Sequence, residues 1–354
     1  MNRTVAVLGP GAVGGSLAVR LSLAGIHTIC VAHAEAAGLI ALAGLVVESR
    51  DGTLTARVEA SEQLVKPVGL LLVTVKAPML EEAIERIDPS AVSTGVVVPL
   101  LNGLEHMEPL KARFDGRVAA GSISHYQAYR AGRVQIIEAT PSPLITIASE
   151  SVPRGELESA AELLRQGRLD VRVAQNEKRV LWHKLARIAP LAAATAASGR
   201  TVGELRLDPA WRARLQLGIA EACAVAHADG VGLRASAQWA IIDEMADETT
   251  TSAARDVVAG RRSELDALLG AVLRAADRLE VPARGLRSSP PQPASGERAL
   301  DRRARPGARG VRARAAQERA PAGGPSAPRV CDRDCPAEPR LRAGRRIDGL
   351  RGDR

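Results

Sequence analysis

Thr4-Val5-Ala6-Val7-Leu8-Gly9-Pro10-Gly11-Ala12-Val13-Gly14-Gly15 runs an apolar stretch directly into a glycine turn, and a helical pattern follows through Leu17, Val19, Leu21 and Leu23. Strand, turn and helix in this order are what a dinucleotide-binding fold requires. Gly9 allows the tight turn, Gly11 lets backbone approach a pyrophosphate, and Gly14 permits close packing of helix on strand. Ala12 and Val13 open the helix, whose free N–H groups and positive dipole end favour an anion. The competing reading is a plain structural turn. The flanking strand and helix favour cofactor binding, because the motif carries weight only in that context.

The 354 residues are enough for two domains. Hydrophobic content is 46% but aromatics are only 2%, so the cores must be built from Leu, Val, Ile and Ala. The net charge of +8 invites a nucleic-acid reading until its location is considered. From Ala283 onward there are 18 arginines against 8 acids, a net +10, which leaves the first 282 residues at −2.

That last segment has no lysine and no aromatic residue. Such a composition cannot bury enough surface to offset chain entropy, so disorder is expected over 283–354. An arginine-rich arm for nucleic acid is one reading. Sequence never selected to fold, such as an out-of-frame reading, is the better one, because no aromatics stand between the arginines to stack on bases. Cys331 and Cys335 lack the partner ligands of a metal site. The N-terminal apolar run is broken by glycines after five residues, unlike a signal peptide, and no run approaches the roughly 20 residues of a membrane helix. A cytoplasmic protein with neither nucleic acid nor membrane as partner follows, as monomer or homodimer.

Further strands are expected at Thr28–Ala32, Gly69–Val75, Gly95–Pro99, Arg117–Gly121, Val134–Ile137, Leu144–Ala148 and Asp170–Val173. Helical patterns separate the early ones, which predicts a parallel, doubly wound sheet. After Val173 the pattern is helical: Glu177–Ala197, Pro209–Asp229, Ser236–Asp247, Ser252–Ala259 and Arg262–Leu279. The expected plan is a Rossmann-type α/β domain over 1–173, an all-α domain over 174–282 that closes a cleft, and the tail. His33 ends the second strand, where an acid would select NAD and a base NADP. It is neither clear case, and Glu35 lies two residues on. Lys76 and Asn102 follow strand ends, where an open α/β sheet places its ligand. Their plain readings are a surface lysine and an Asn-Gly turn.

The set Gly9-Pro10-Gly11-Ala12-Val13-Gly14, Val75-Lys76-Ala77, Leu101-Asn102-Gly103-Leu104, Leu181-Trp182-His183-Lys184-Leu185, Gly203-Glu204-Leu205, Ser252 with Asp256, and Ser263-Glu264-Leu265-Asp266 resembles the ketopantoate reductase family, in order, over residues 1 to about 282. The resemblance implies a 2-dehydropantoate 2-reductase, which reduces a 2-keto acid with NADPH during pantothenate and coenzyme A synthesis. It implies Lys184 as the catalytic proton donor and Glu264 as its acidic partner. Ser252 and Asn102 would bind substrate, Asn102 also lying near the nicotinamide, and Lys76 and His33 would serve the adenosine 2′-phosphate. By itself, Thr249-Thr250-Thr251-Ser252 is a good N-cap cluster, and Lys184 and Glu264 are ordinary helix-surface residues.

Three departures stand out. Family members commonly carry asparagines four and eight residues after the lysine, where this chain has Ile188 and Ala192. The change removes polar contacts to substrate and should lower the Lys184 pKa through desolvation. His33 stands where many members carry arginine, so NADH is a possible cofactor beside NADPH. The chain also runs from Val281-Pro282 into Arg-Gly-Leu-Arg instead of the family's final helix. A reductase for a different keto acid, a cofactor-binding protein with lost catalysis, and a nucleic-acid-binding module run by the tail are the alternatives.

Overall fold

The computed structural model describes residues 2–140 and 143–288. The rest of the expected tail, with Cys331 and Cys335, lies outside the described residues. In chain order the first part comprises β1 (Val5–Leu8), α1 (Ala12–Leu23), β2 (Thr28–Val31), α2 (Ala34–Ala43), β3 (Leu45–Ser49), β4 (Gly52–Ala56), β5 (Glu59–Ser61), β6 (Leu70–Val73), α3 (Leu80–Ile84), β7 (Val96–Pro99), α4 (Met107–Arg113), β8 (Ala120–Ser124), β9 (Ala128–Arg130), β10 (Gln135–Glu138), β11 (Leu144–Ala148), α5 (Arg154–Gln166) and β12 (Asp170–Val173).

Five of these strands form a parallel sheet in the order β5-β2-β1-β6-β7. Both faces of β1 are buried, as an all-parallel sheet demands. Val5 and Val7 pack with Leu17, Leu21 and Leu164 on one side, and Ala6 and Leu8 with Leu80, Leu110 and Phe114 on the other. Strand order reverses between β1 and β6, and ligands bind at the carboxyl ends beside such a switch point. The remaining strands form two further sheets, β4-β3-β10-β9 and β12-β11-β8. Buried Glu138 accepts from Ser16, Arg20 and the Tyr126 hydroxyl, tying the end of β10 to α1.

The strand expected at Arg117–Gly121 is displaced. Val118 makes only an isolated bridge to Val97, and the ladder to β11 begins at Ala120. Partner register decides a strand's position more than propensity does. The hairpin of β3 and β4, turning at Arg50-Asp51, was not expected from the pattern.

The second part is helical: α6 (Glu177–Ser198), α7 (Val202–Leu207), α8 (Pro209–Ala228), α9 (Ala235–Asp243), α10 (Ser252–Val258), a π-helical turn at Asp266–Gly270, α11 (Ala271–Arg278) and α12 (Arg284–Arg287). Its caps were legible in the residues. The Asp208 carboxylate accepts from the Ala210 and Trp211 amides ahead of Pro209, and Gly230 takes φ +89° just past α8, as helix ends prefer. Trp182, Leu215 and Ile219 anchor the core. Residues 283–288, grouped by composition with the tail, pack instead. Ala283 and Leu286 are buried, and Glu221 accepts from the Gly285 and Leu286 amides at 2.8 and 2.7 Å. A leucine on an apolar face and a carboxylate capping two amides are enough to hold one helical turn that composition cannot reveal. Among the described residues no helix is long and apolar enough to cross a membrane.

Candidate active site

The glycine loop after β1 is shaped by what it excludes. Gly9 takes φ +83°, and a Cβ there would stand 2.4 Å from Val75 Cγ1. A Cβ on Gly14 would stand 2.1 Å from Thr74 Oγ1 and 2.7 Å from the Gly9 carbonyl oxygen. A Cβ on Gly11 would meet nothing nearer than the Gly9 carbonyl oxygen at 3.9 Å. The Thr74 hydroxyl fastens the loop, lying 3.0 Å from the Leu8 carbonyl oxygen and 2.8 Å from that of Gly9. Gly11 caps α1 without a side-chain bond and no acid occupies the first turn. The amides of Ala12, Val13 and Gly14 therefore have no helical partner. An open glycine face with unpaired amides at a helix N-terminus fits a pyrophosphate, so these residues suit a dinucleotide.

Across from this loop, α6 presents Lys184. With Leu181, Leu185 and Ile188 from the same helix it lines a small cleft completed by Leu101, Asn102, Gly103, Gly121 and Ser122. Helical spacing puts Leu181, Lys184, Leu185 and Ile188 on one face. The ammonium has no hydrogen bond or ion pair among the described residues. Its pKa is pushed down to about 8, first by loss of water and then by the charge of Arg187, against an opposing pull from Glu264. At neutral pH such a lysine remains mostly protonated while holding its proton loosely.

Two buried carboxylates from the helical part reach strand ends of the parallel sheet. Glu264, just before the π-helical turn, accepts from the Ala77 amide at 3.1 Å and the Asn102 side-chain amide at 3.4 Å. Asp256 on α10 pairs with Lys76 Nζ at 2.6 Å and Arg261 Nε at 3.0 Å. These bonds span 162 to 187 residues of sequence in the cases of Lys76, Ala77 and Asn102. They tie α10 and the segment before the π-helical turn to strand ends of the parallel sheet.

Lys184, Asn102 and Glu264 are thus brought together. Ser252 is not: it is exposed at the start of α10, one turn before Asp256 on the same helix, and Thr251 does the capping. Lys76 gives its ammonium to Asp256. His33 caps α2, its ring nitrogen receiving the Ala36 amide at 3.4 Å. Beside it Glu35 is paired with Arg133 from the loop between β9 and β10, which holds the carboxyl below its usual range. Thr74, Arg133 and Arg187 escaped the sequence reading. Thr74 had a signal, being a hydroxyl at the end of β6 beside the glycine turn. The other two are placed only by folding.

Residues 5–149 match the family described as ketopantoate reductase PanE/ApbA, and residues 176–288 match the C-terminal part of the same family. A 2-dehydropantoate 2-reductase from Caulobacter vibrioides is 28% identical over 293 residues, covering 80% of this chain and 96% of that protein. The crystal structure of a PanE/ApbA family ketopantoate reductase from Ralstonia eutropha JMP134 superposes with a TM-score of 0.73 at 27% identity, over 80% of this chain and 95% of the other. A D-mandelate dehydrogenase solved with NADH and anilino(oxo)acetate has the same fold, with a TM-score of 0.73 at 18% identity, over 80% and 94% of the two chains.

Proposed function

Because the chain belongs to the ketopantoate reductase PanE/ApbA family of oxidoreductases, we propose that it reduces a 2-keto acid to the 2-hydroxy acid with NADPH, 2-dehydropantoate being the first candidate. The observation that carries this reading is Lys184, an unpaired ammonium in a cleft beside Asn102. When bound, the nicotinamide supplies a hydride to the ketone carbon. Negative charge then builds on the ketone oxygen, and a cationic proton donor there lowers the barrier. Lys184 donates that proton, and its depressed pKa eases the transfer. Glu264 orients Asn102, while Leu101, Leu181, Leu185 and Ile188 keep water from the reacting atoms. The glycine loop binds the pyrophosphate. Arg133, which neutralises Glu35, supports NADPH over NADH at the adenosine end.

A second reading, a keto acid with a more apolar side chain, is favoured by Ile188 in the cleft wall. The anilino(oxo)acetate held by the mandelate dehydrogenase relative points the same way. A spectrophotometric screen of the full chain with NADPH and NADH against 2-dehydropantoate, branched and aryl 2-keto acids separates the two. Turnover with at least one acid is expected, and Lys184→Ala should lower kcat by about 10²–10⁴. Cofactor binding without turnover across the panel, or an unchanged rate in the variant, would contradict the proposal.

A further inference from the structure

Arg187 follows Lys184 by three residues on α6, so the two side chains are neighbours on the helix surface. It is only 7% exposed. Nη1 donates to the His183 carbonyl and, at 3.1 Å, to Gln238 Oε1. Both acceptors are neutral. No carboxylate among the described residues forms an ion pair with this guanidinium, and its pKa is lowered by desolvation with no opposing charge. A buried cation without a counter-charge is a costly arrangement that packing alone does not reward. The same arrangement leaves one edge of the fork uncommitted. With Nη1 turned to Gln238, Nε and Nη2 have no hydrogen-bond partner among the described residues, and these two nitrogens present parallel donors that match a carboxylate bidentately. Ile188 and Ala192, further along the helix, offer an anion nothing.

We propose that Arg187 is the residue that receives the substrate's carboxylate, through its Nε and Nη2 edge, while Lys184 one turn earlier receives the adjacent keto oxygen. The assignment rests on the 2-keto acid reading above. It explains why an uncompensated guanidinium is kept beside the catalytic ammonium: the substrate brings the missing negative charge. It also makes the substrate prime its own acid. Arg187 repels a proton from Lys184 in the free enzyme, and an anion seated on Arg187 cancels that repulsion. The alkaline limb of kcat, which reports the complex, should therefore lie at higher pH than that of kcat/KM, which reports the free enzyme.

Arg187→Gln and Arg187→Lys in the full chain test the assignment with two readouts. In turnover, the glutamine variant should lose about 100-fold in kcat/KM for the keto acid. It should also lose the wild-type preference for the acid over its neutral carboxamide, with NADPH affinity unchanged. The lysine variant, which keeps the charge but not the fork, should show a KM raised about tenfold with the preference retained. In binding, oxamate in the presence of saturating NADPH should raise the melting temperature of the wild type and not of the glutamine variant. Oxamate protection needs no turnover, so an enzyme inactive on every 2-keto acid yet protected through Arg187 would refute the reaction and leave the anion site standing. A glutamine variant that keeps both the acid preference and oxamate protection, losing only stability, would reduce Arg187 to a tie to Gln238 and overturn the inference. Should that variant not fold, an unchanged KM in Arg187→Lys would do the same.

Discussion

The glycine loop and the Lys184 cleft are suited to ligands by opposite means. The loop is suited by absence: three glycines clear space, and the helix-terminal amides are left unpaired with no acid in the first turn. The cleft works by charge. Lys184 lines it, largely dry, with buried Arg187 three residues further along α6, and Glu264 and Asp256 reach across from the helical part to strand ends of the parallel sheet. The glycines of the first arrangement lie within ten residues and are fastened by Thr74 about 65 residues on, whereas the second exists only after residues 180 apart in sequence have met. Damage to the loop should therefore be steric and abrupt. Damage to the cleft should be electrostatic, graded and dependent on pH.

Of the changes that test stability in these two regions, the larger effect is expected at Gly14. A Cβ there meets Thr74 Oγ1 and the Gly9 carbonyl oxygen well inside contact distance, so Gly14→Ala should cost about 1–3 kcal/mol in stability. It should also weaken NADPH binding by at least tenfold, about 1.4 kcal/mol, as read by nucleotide fluorescence and thermal melting. Unaltered cofactor affinity would show that the loop is a turn and nothing more. A smaller effect is expected across the cleft. Asp256→Asn leaves Lys76 and Arg261 without their carboxylate, but these cations are 42% and 61% exposed, so water takes over much of the interaction. A loss of about 1 kcal/mol, or about 2–4 °C in Tm, is the expected result, diminished by added salt. A loss that salt does not alter would mean that Asp256 acts through packing.

The same contrast explains what could be read from the residues. The Gly9–Gly14 loop and the caps at Asp208 and Gly230 depend on near neighbours and were visible at once. β8 slipped by three residues because its register is set by β11, not by its own apolar run. The helix expected from Arg262 is preceded by an irregular segment and a π-helical turn, and that irregularity is what lets Glu264 reach Ala77 and Asn102. Asn102 was a candidate from its place after a strand end, with an Asn-Gly turn as the plain reading, whereas Lys184 and Glu264 came into view only through the family resemblance, since each by itself is an ordinary helix-surface residue. Nothing in the chain announced that Lys76 would be taken by Asp256, or that Arg187 would be buried without an acid. Both facts depend on which elements pack together, and helix periodicity is silent on that.

The central claim is that an ammonium with a depressed pKa supplies the proton, and the pH dependence of kcat/KM for keto acid reduction tests it most directly. Only protonated Lys184 can donate, so reduction should be at its plateau below pH 7. It should fall tenfold per pH unit above a midpoint near the Lys184 pKa of about 8. The reverse oxidation, which needs the neutral amine, should rise through the same midpoint. A reduction rate that stays flat to pH 10 would contradict the account, because it would leave Lys184 with no part in the proton transfer.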